Sequence, residues 1–407
     1  MSTMKFFEKL LDKETRKNYL EYKEGRKMPE FRMERMREYI MSDRFETDVL
    51  RIKAGDYRIS VPVKKYIRKS YTDKKRIVYH FQEDEMSIFR IMAYVLHDYE
   101  ELVSRNVYSF RKSVSAKDLV RKITRNRSLQ EKYVVKSDII SYGNNIDADR
   151  MILLLQEKLG TREPEMVSFF SWLLKRKLYL LDGELCEGDT AALPGCPIHN
   201  FFTNLYLADM DHLISPRCAL YARYSDDIIM FVKTKEEAEE NYRLLMEEFE
   251  KNGLKAHEDD KTGLYEPGKP FEYLGFRFDG GEVDIAKASL HKLKRRMRIR
   301  AKRIGLDKKK RFATPIEKAK HLIWLNHRAF YGKPDSNELS WDRWAFPVIT
   351  RTDALHELDL YSQRCIRFLL SGKWSDCQFR IAYDTLKNLG YESLVRAYYR
   401  ERKDAEY

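Results

Sequence analysis

Cysteine is scarce: the 407 residues hold five, Cys186, Cys196, Cys218, Cys365 and Cys377, with no C-x-x-C pair among them. That is too few to brace a chain of this length, and the pattern reads as reduced thiols in a cytoplasmic protein. Long hydrophobic runs are also missing. Stretches such as Met166–Leu174 fall well short of the roughly 20 apolar residues a membrane-spanning helix needs, so no membrane role is expected. Met1–Lys27 alternates charged and apolar residues and reads as neither signal peptide nor anchor. No His/Cys cluster has zinc-like spacing, and no internal repeat or low-complexity linker is visible. What the chain does have is 43% hydrophobic residues, enough for packed cores in two or three subdomains.

Negative charge is in deficit, giving a formal net charge of +13 and a pI near 9.2. The surplus is local. From Lys287 to Arg311 there are 13 Lys or Arg against one acid, Asp307, which is +12 of the +13. A solvated charged face is the ordinary explanation of a charge run. Here the bases would repel one another unless phosphates neutralise them, which favours a nucleic-acid partner.

Residues 5 to 40 are helix-prone, while Asp48–Val63 and Arg76–Phe81 show the β-branched or alternating character of strands, with a basic turn from Lys64 to Lys75 between them. Glu83–Val103 has helical spacing. Tyr133–Ile140 reads as an apolar strand, Ala148–Leu159 and Phe201–Leu213 as helices, Ala219–Val232 as two β-prone runs, and Lys235–Asn252 as a charged helix. This order predicts an α+β sheet with helices on one face. Beyond Gly281 the pattern turns helical, with an apolar stripe of Leu290, Leu293, Met297 and Ile304 on the basic segment, and further helices over Ala354–Leu370 and Arg380–Tyr399.

Three carboxylates stand out: Asp138 at the end of an apolar strand, and Asp226-Asp227 between the two β-prone runs. Adjacent acids taken alone suggest a solvated β-turn. Their flanks, Arg223-Tyr224 before and Ile228-Ile229-Met230-Phe231-Val232 after, predict a strand buried on both faces that holds the acids rigidly at a sheet end. Carboxylates fixed near one another need a cation. Hard oxygen ligands suit magnesium, and two such ions serve phosphoryl transfer by activating a 3′-hydroxyl and neutralising a triphosphate.

Tyr224-Ser225-Asp226-Asp227 resembles the Tyr-x-Asp-Asp hairpin of reverse transcriptases, and its neighbours follow that family's order. Asp138-Ile139-Ile140-Ser141-Tyr142 resembles the first palm motif, and Pro194-Gly195-Cys196-Pro197-Ile198 through Asn204-Leu205-Tyr206-Leu207 the second. Gly253-Leu254 to Lys261-Thr262 resembles the motif whose lysine protonates pyrophosphate, and Phe271-Glu272-Tyr273-Leu274-Gly275-Phe276 the primer-grip hairpin. Lys74-Lys75-Arg76-Ile77-Val78 and Tyr108-Ser109-Phe110-Arg111-Lys112 resemble fingers segments.

The resemblance implies a right-hand polymerase: an N-terminal helical segment at 1–50, fingers at 51–130, a palm at 131–280, with part of 150–190 assignable to fingers, and an all-helical thumb at 281–407. It implies catalysis by Asp138, Asp226, Asp227 and Lys261, and metal binding by the three aspartates and the Ile139 carbonyl. Two Mg2+ ions are expected, with Mn2+ as a substitute. Nucleotide contacts fall on Lys75, Arg76, Tyr142, Gly143 and Gly195, and nucleic-acid contacts on Arg111, His199, Lys294, Arg295, Arg298 and Lys302. Arg76 and Lys261 keep the alternatives of an exposed strand arginine and a solvated loop lysine.

Two departures bear on function. Five residues after Asp138, where the family places a bulky aromatic against the ribose 2′-hydroxyl, stands Gly143; either Tyr142 takes its place or sugar discrimination is relaxed. The second palm motif has Pro194, His199 and Asn200 where Gln, Ser and Pro are usual. His199 reads as a packed or template-contacting residue rather than a base or ligand.

Trp341-Asp342-Arg343-Trp344-Ala345-Phe346-Pro347 and Gly390-Tyr391-Glu392-Ser393-Leu394-Val395 resemble C-terminal regions of bacterial retron, abortive-infection and defence-associated reverse transcriptases. Burial between helices is the expected fate of Trp341 and Trp344. No endonuclease motif, RNase H acids or zinc-finger tail is visible, unlike a complete mobile-element protein. The implied protein copies an associated noncoding RNA into DNA from dNTPs in antiphage defence, alone, as a homo-oligomer or with an accessory protein. The alternatives are a template-independent or protein-primed polymerase and an inactive RNA-binding scaffold.

Overall fold

The computed structural model describes residues 4–24, 28–68, 75–191, 193–258, 262–307, 311–332, 340–375 and 380–405. The strands in chain order are β1 (Val63–Arg68), β2 (Lys75–His80), β3 (Tyr133–Asp138), β4 (Leu178–Leu181), β5 (Glu184–Glu187), β6 (Leu220–Tyr224), β7 (Asp227–Val232), β8 (Gly263–Tyr265), β9 (Phe271–Tyr273), β10 (Phe276–Asp279) and β11 (Glu282–Ile285). The chain divides into two units, residues 1–119 with 131–267, and residues 120–130 with 268–407.

The first unit has two sheets. One, ordered β2-β1-β4-β5, is antiparallel except for a single parallel β1–β4 pairing of Val63 with Leu180. The other, ordered β6-β7-β3-β8, is antiparallel throughout and brings together segments far apart in sequence. Its central strand β7 is closed on both faces: Ile228, Ile229, Met230, Phe231 and Val232 are all buried, as the unbroken apolar run predicts. Full burial of side chains this size stabilises by about 1.5–3 kcal/mol each. The helix Lys235–Lys251, capped by Thr234 Oγ1 on the Glu237 N–H, packs on β3 and β7.

The expected strand over Asp48–Val63 is not formed. Asp43–Lys53 is a helix, because Ser42 caps it and Phe45, Val49 and Ile52 recur at helical spacing and are buried, which outweighs the β-branched content. Val63–Arg68, expected within a turn, is a strand paired along its full length with β2. The expected helix Phe201–Leu213 is two, His199–Tyr206 and Ala208–Ile214.

The second unit carries the antiparallel sheet β11-β10-β9 and then only helices. Its helix Lys287–Leu306 buries Leu290, Leu293, Met297, Ala301 and Ile304 against Asp353–Ser371 and Pro315–Tyr331. One strand, β11, runs past the Gly281 at which helical pattern was expected to begin. The expected helix Arg380–Tyr399 is broken into Tyr383–Asn388 and Leu394–Ala405, with Gly390 at φ +92° between them. Trp344 packs on Phe276, ring centroids 5.7 Å apart. The mixed α+β architecture with antiparallel sheets and a helical C-terminal region agrees with the expected fold class. No described helix is long and apolar enough to cross a membrane.

Candidate active site

The strand register sets the site. β3 and β7 pair antiparallel so that Asp138 stands opposite Asp227, and Asp226 occupies the turn just before it. Directly opposed residues share a sheet face with Cβ atoms about 4.5–5.5 Å apart, so two carboxylates meet at this edge by construction. Asp138 is nearly buried at 6% exposure, whereas Asp226 and Asp227 are half-buried. The turn is tight: Tyr224 pairs with Asp227, and Ser225 takes φ +58°, the left-handed conformation that primed hairpin turns need at this position.

Backbone bonds tie the strand ends together. Ile139 N–H donates to the Asp226 carbonyl at 3.2 Å, and His257 N–H donates to the Asp138 carbonyl at 2.8 Å. On the far side, β8 pairs with β3, and the Asp138 N–H reaches Thr262 Oγ1 at 3.5 Å. Lys261, the expected proton donor, lies outside the described residues.

A buried network fixes the hairpin from behind. Arg223 has no exposed surface and is paired with the equally buried Asp211, Nη2 to Oδ2 at 2.6 Å and Nε to Oδ1 at 2.8 Å. Its remaining donors go to the carbonyls of Thr203, Asn204 and Ser225. Tyr221 donates to Asp211 Oδ1 at 2.6 Å. Burial alone would depress the Arg223 pKa, but the Asp211 carboxylate overrides it and raises it. Ser225 N–H donates to Ser109 Oγ, which donates to Asn204 Oδ1, both at 2.9 Å, and Asn204 returns a bond to the Ser109 carbonyl at 2.8 Å. The sequence names Arg223, Ser109 and Asn204 only as motif members. Asp211 and its pairing have no local signal, since Asp211 lies on the helix Ala208–Ile214 and Arg223 on β6.

Of the expected nucleotide contacts, Lys75 and Arg76 are exposed on β2, and Gly195 lies against the same strand. A Cβ at Gly195 would stand 2.9 Å from Val78 Cβ, its φ is +99°, and Tyr79 N–H donates to the Pro194 carbonyl at 2.7 Å. Only glycine fits there. Tyr142 corrects the reading that it replaces the missing aromatic: it is buried, and its hydroxyl donates to the Thr203 carbonyl, so the ring faces the core. Gly143 is filled from the other side, since a Cβ would come 2.7 Å from His199 Nε2. The two departures are therefore one contact. His199 is buried, and burial pushes its pKa down to about 4, with its interaction with the Gly143 backbone opposing the shift. It is a packed residue rather than one that faces the template.

Arg111 is likewise committed: it pairs with Glu100 at 3.0 Å and donates to the Ser104 and Val107 carbonyls, which leaves little of it for nucleic acid. In the second unit, Lys294 pairs with Glu357 and Arg298 lies over the Trp374 ring at 5.8 Å, while Arg295, Arg298 and Lys302 are exposed.

Among the described residues, no three His, Cys, Asp or Glu side chains already enclose an ion-sized site. The donors at the β3–β7 edge are nonetheless all hard oxygens, two of them opposed by register, which is the chemistry a divalent magnesium-like ion takes.

Residues 67–278 match the family described as reverse transcriptase (RNA-dependent DNA polymerase), and the match covers more than half of the 407 residues. The chain belongs to the reverse transcriptase family. No curated protein matches it. Similar solved structures include an apo telomerase from Candida tropicalis truncated from its C-terminal domain, 11% identical with a TM-score of 0.43, covering 59% of this chain and 59% of that one. A second is telomerase from Candida albicans in complex with the TWJ fragment of telomeric RNA, 13% identical with a TM-score of 0.44, covering 83% of this chain and 62% of that one. The chain thus spans about six tenths of either telomerase chain.

Proposed function

We propose that the chain is an RNA-templated DNA polymerase that adds dNTPs at the β3–β7 edge, with residues 51–130 as fingers, 131–280 as palm and 281–407 as thumb. The observation that carries this reading is the register that opposes Asp138 to Asp227 with Asp226 in a locked turn, inside a chain of the reverse transcriptase family. Asp138, Asp226 and Asp227, with the Ile139 carbonyl, would hold divalent ions, and such ions supply activation of a 3′-hydroxyl and charge neutralisation at a triphosphate. The chain's own part is positional. β7 fixes where the carboxylates stand, β2 presents Lys75 and Arg76 as phosphate contacts, and the Gly195 backbone closes on that strand. Lys261 protonates pyrophosphate in this reading.

The template is an associated noncoding RNA and the setting antiphage defence in a bacterial cytoplasm. This finer reading is supported by the C-terminal motifs Trp341–Pro347 and Gly390–Val395. Synthesis without a template is the second reading, favoured by Tyr142 facing inward and His199 filling Gly143, because both remove features that discriminate sugar and template. Primer extension on an RNA template with dNTPs and Mg2+ tests the catalytic reading. Asp138→Asn, Asp226→Asn and Asp227→Asn should each abolish extension at unchanged melting temperature. Extension at the parent rate in any of the three would remove the carboxylate assignment.

A further inference from the structure

Strand alternation separates two residues that the sequence places side by side. Successive side chains of β2 point to opposite faces of the sheet. Gly195 approaches one face, where a Cβ on it would meet Val78, so Arg76, two residues before Val78, belongs to that face. Lys75 and Tyr79 belong to the other. Register extends this second face across the sheet: Lys64 stands opposite Tyr79 and Tyr66 opposite Ile77, and Tyr179 alternates with the Leu180 that pairs with Val63.

On this face Lys64 Nζ donates to the Tyr179 hydroxyl at 3.3 Å and lies 4.3 Å from that ring's centroid. Tyr79 is buried and tilted against Tyr179, so it braces the contact rather than offering an open ring. Tyr66 differs. It is 50% exposed, with Lys64 Nζ 5.9 Å and Lys75 Nζ 5.7 Å from its ring centroid. Burial works to lower the Lys64 pKa, and Tyr179, Tyr79 and Tyr66 outweigh it and raise it, with no carboxylate among them. Lys75 is exposed, and the contact its ammonium makes among the described residues is with the Tyr66 ring. The acid that register puts on this face, Glu184 on β5, stands two strands from β1, about 10 Å at the usual strand spacing. Solvation is the ordinary fate of surface lysines. A half-exposed aromatic ring between two ammoniums, with no acid paired to them, instead fits a polyanion that carries aromatic bases.

We propose that this face of the β2-β1-β4-β5 sheet binds a single-stranded stretch of nucleic acid, one unpaired base on Tyr66 and the flanking phosphates on Lys64 and Lys75. The strand must be single because the bases of a duplex are stacked on one another and leave no face for the ring. Lys75 thereby contacts the phosphate of a strand, while Arg76 on the opposite face stays with the triphosphate. Nothing in this surface depends on catalysis at the β3–β7 edge.

The test uses the full chain in EDTA without dNTPs, so a failure of catalysis leaves it unaffected. An excess of unlabelled blunt RNA–DNA duplex occupies the duplex-binding surfaces, and binding of a short fluorescein-labelled oligouridine or oligothymidine is read by anisotropy. The 4-thio counterparts of both strands are photocrosslinked and the adducts mapped by mass spectrometry. Adducts on the peptides spanning β1 and β2 are expected. Tyr66→Ser should weaken binding by about tenfold, the loss of one stacked base, whereas Tyr66→Phe, which keeps the ring, should bind like the parent. Lys64→Gln combined with Lys75→Gln should lower the slope of log affinity against log salt by about 1.4, two phosphates of a single strand. Tighter binding of the uridine strand assigns RNA and of the thymidine strand DNA; either supports the surface. Adducts confined to other peptides, or a Tyr66→Ser variant that binds like the parent at an unchanged melting temperature, overturn it. Polyglutamate that binds the parent and loses affinity in the double lysine variant, while neither strand crosslinks there, would assign an acidic protein segment and also overturns it.

Discussion

At the residue scale, Arg223 and Asp211 have no water to fall back on. Removing one partner leaves the other as a buried unpaired charge, so Arg223→Met or Asp211→Leu should each destabilise the chain by about 3–5 kcal/mol. Urea unfolding would show this, and the double variant should recover much of the loss because the uncompensated charge is gone. Because Arg223 also bonds the Ser225 carbonyl, the double variant should still extend primers with a lower kcat at similar KM. A parent-like kcat in it would mean that the pair serves stability alone.

His199 and Gly143 give a second residue-scale pair. Gly143→Ala drives a methyl toward His199 Nε2 and should destabilise by about 1–3 kcal/mol, with rescue by His199→Ala in the double variant. His199 is also a source of acid sensitivity. Its folded pKa of about 4 lies below the unfolded value near 6.5, so the unfolded chain binds the extra proton between them. The stability it contributes is fully present above about pH 6.5 and is lost as pH falls toward 4. Urea midpoints measured from pH 7 to 4.5 should therefore fall more steeply in the parent than in His199→Phe, and parallel pH profiles would contradict the buried neutral imidazole. The sequence shows His199 and Gly143 as separate oddities of two motifs; that each explains the other requires tertiary contact between segments 56 residues apart.

At the element scale, strand β7 is legible because a run of five large apolar residues admits little else, which leaves Asp227 at its first position and Asp226 in the turn before it. The end of the helix Asp43–Lys53 carries the β-branched Val49 and Ile52, which read as a strand from Asp48 on, while the deciding feature, the Ser42 cap with Phe45 in phase, lies upstream of them. The basic helix Lys287–Leu306 shows what periodicity can and cannot say. Its apolar stripe is buried as expected, yet the bases are not equivalent, since Lys294 is held by Glu357 whereas Lys302 is exposed. Lys302→Gln should weaken RNA–DNA duplex binding and reduce the slope of log affinity against log salt by about one, whereas Lys294→Gln should change it less. Equal slopes for both variants and the parent would place nucleic acid elsewhere.

At the scale of the whole molecule, the family match ends at residue 278, so it takes in the carboxylate edge and stops short of the basic helix. Within the first unit, sequence order alone located the aspartates, because ordered short motifs constrain one another more than any one of them does. It could not supply the buried support of Arg223, the inward turn of Tyr142 or the lysine and tyrosine face of β1, β2 and β4, each of which joins residues from different elements.

The central claim, templated addition of deoxynucleotides at the Asp138–Asp227 edge, is tested most directly by isolating the chain with whatever RNA it retains, supplying Mg2+ with labelled dNTPs or NTPs, and sequencing the product. DNA complementary to the retained RNA, absent when Asp226→Asn and Asp227→Asn are combined, is the result expected. Homopolymer or repeat products, or synthesis that survives the double substitution, would contradict it.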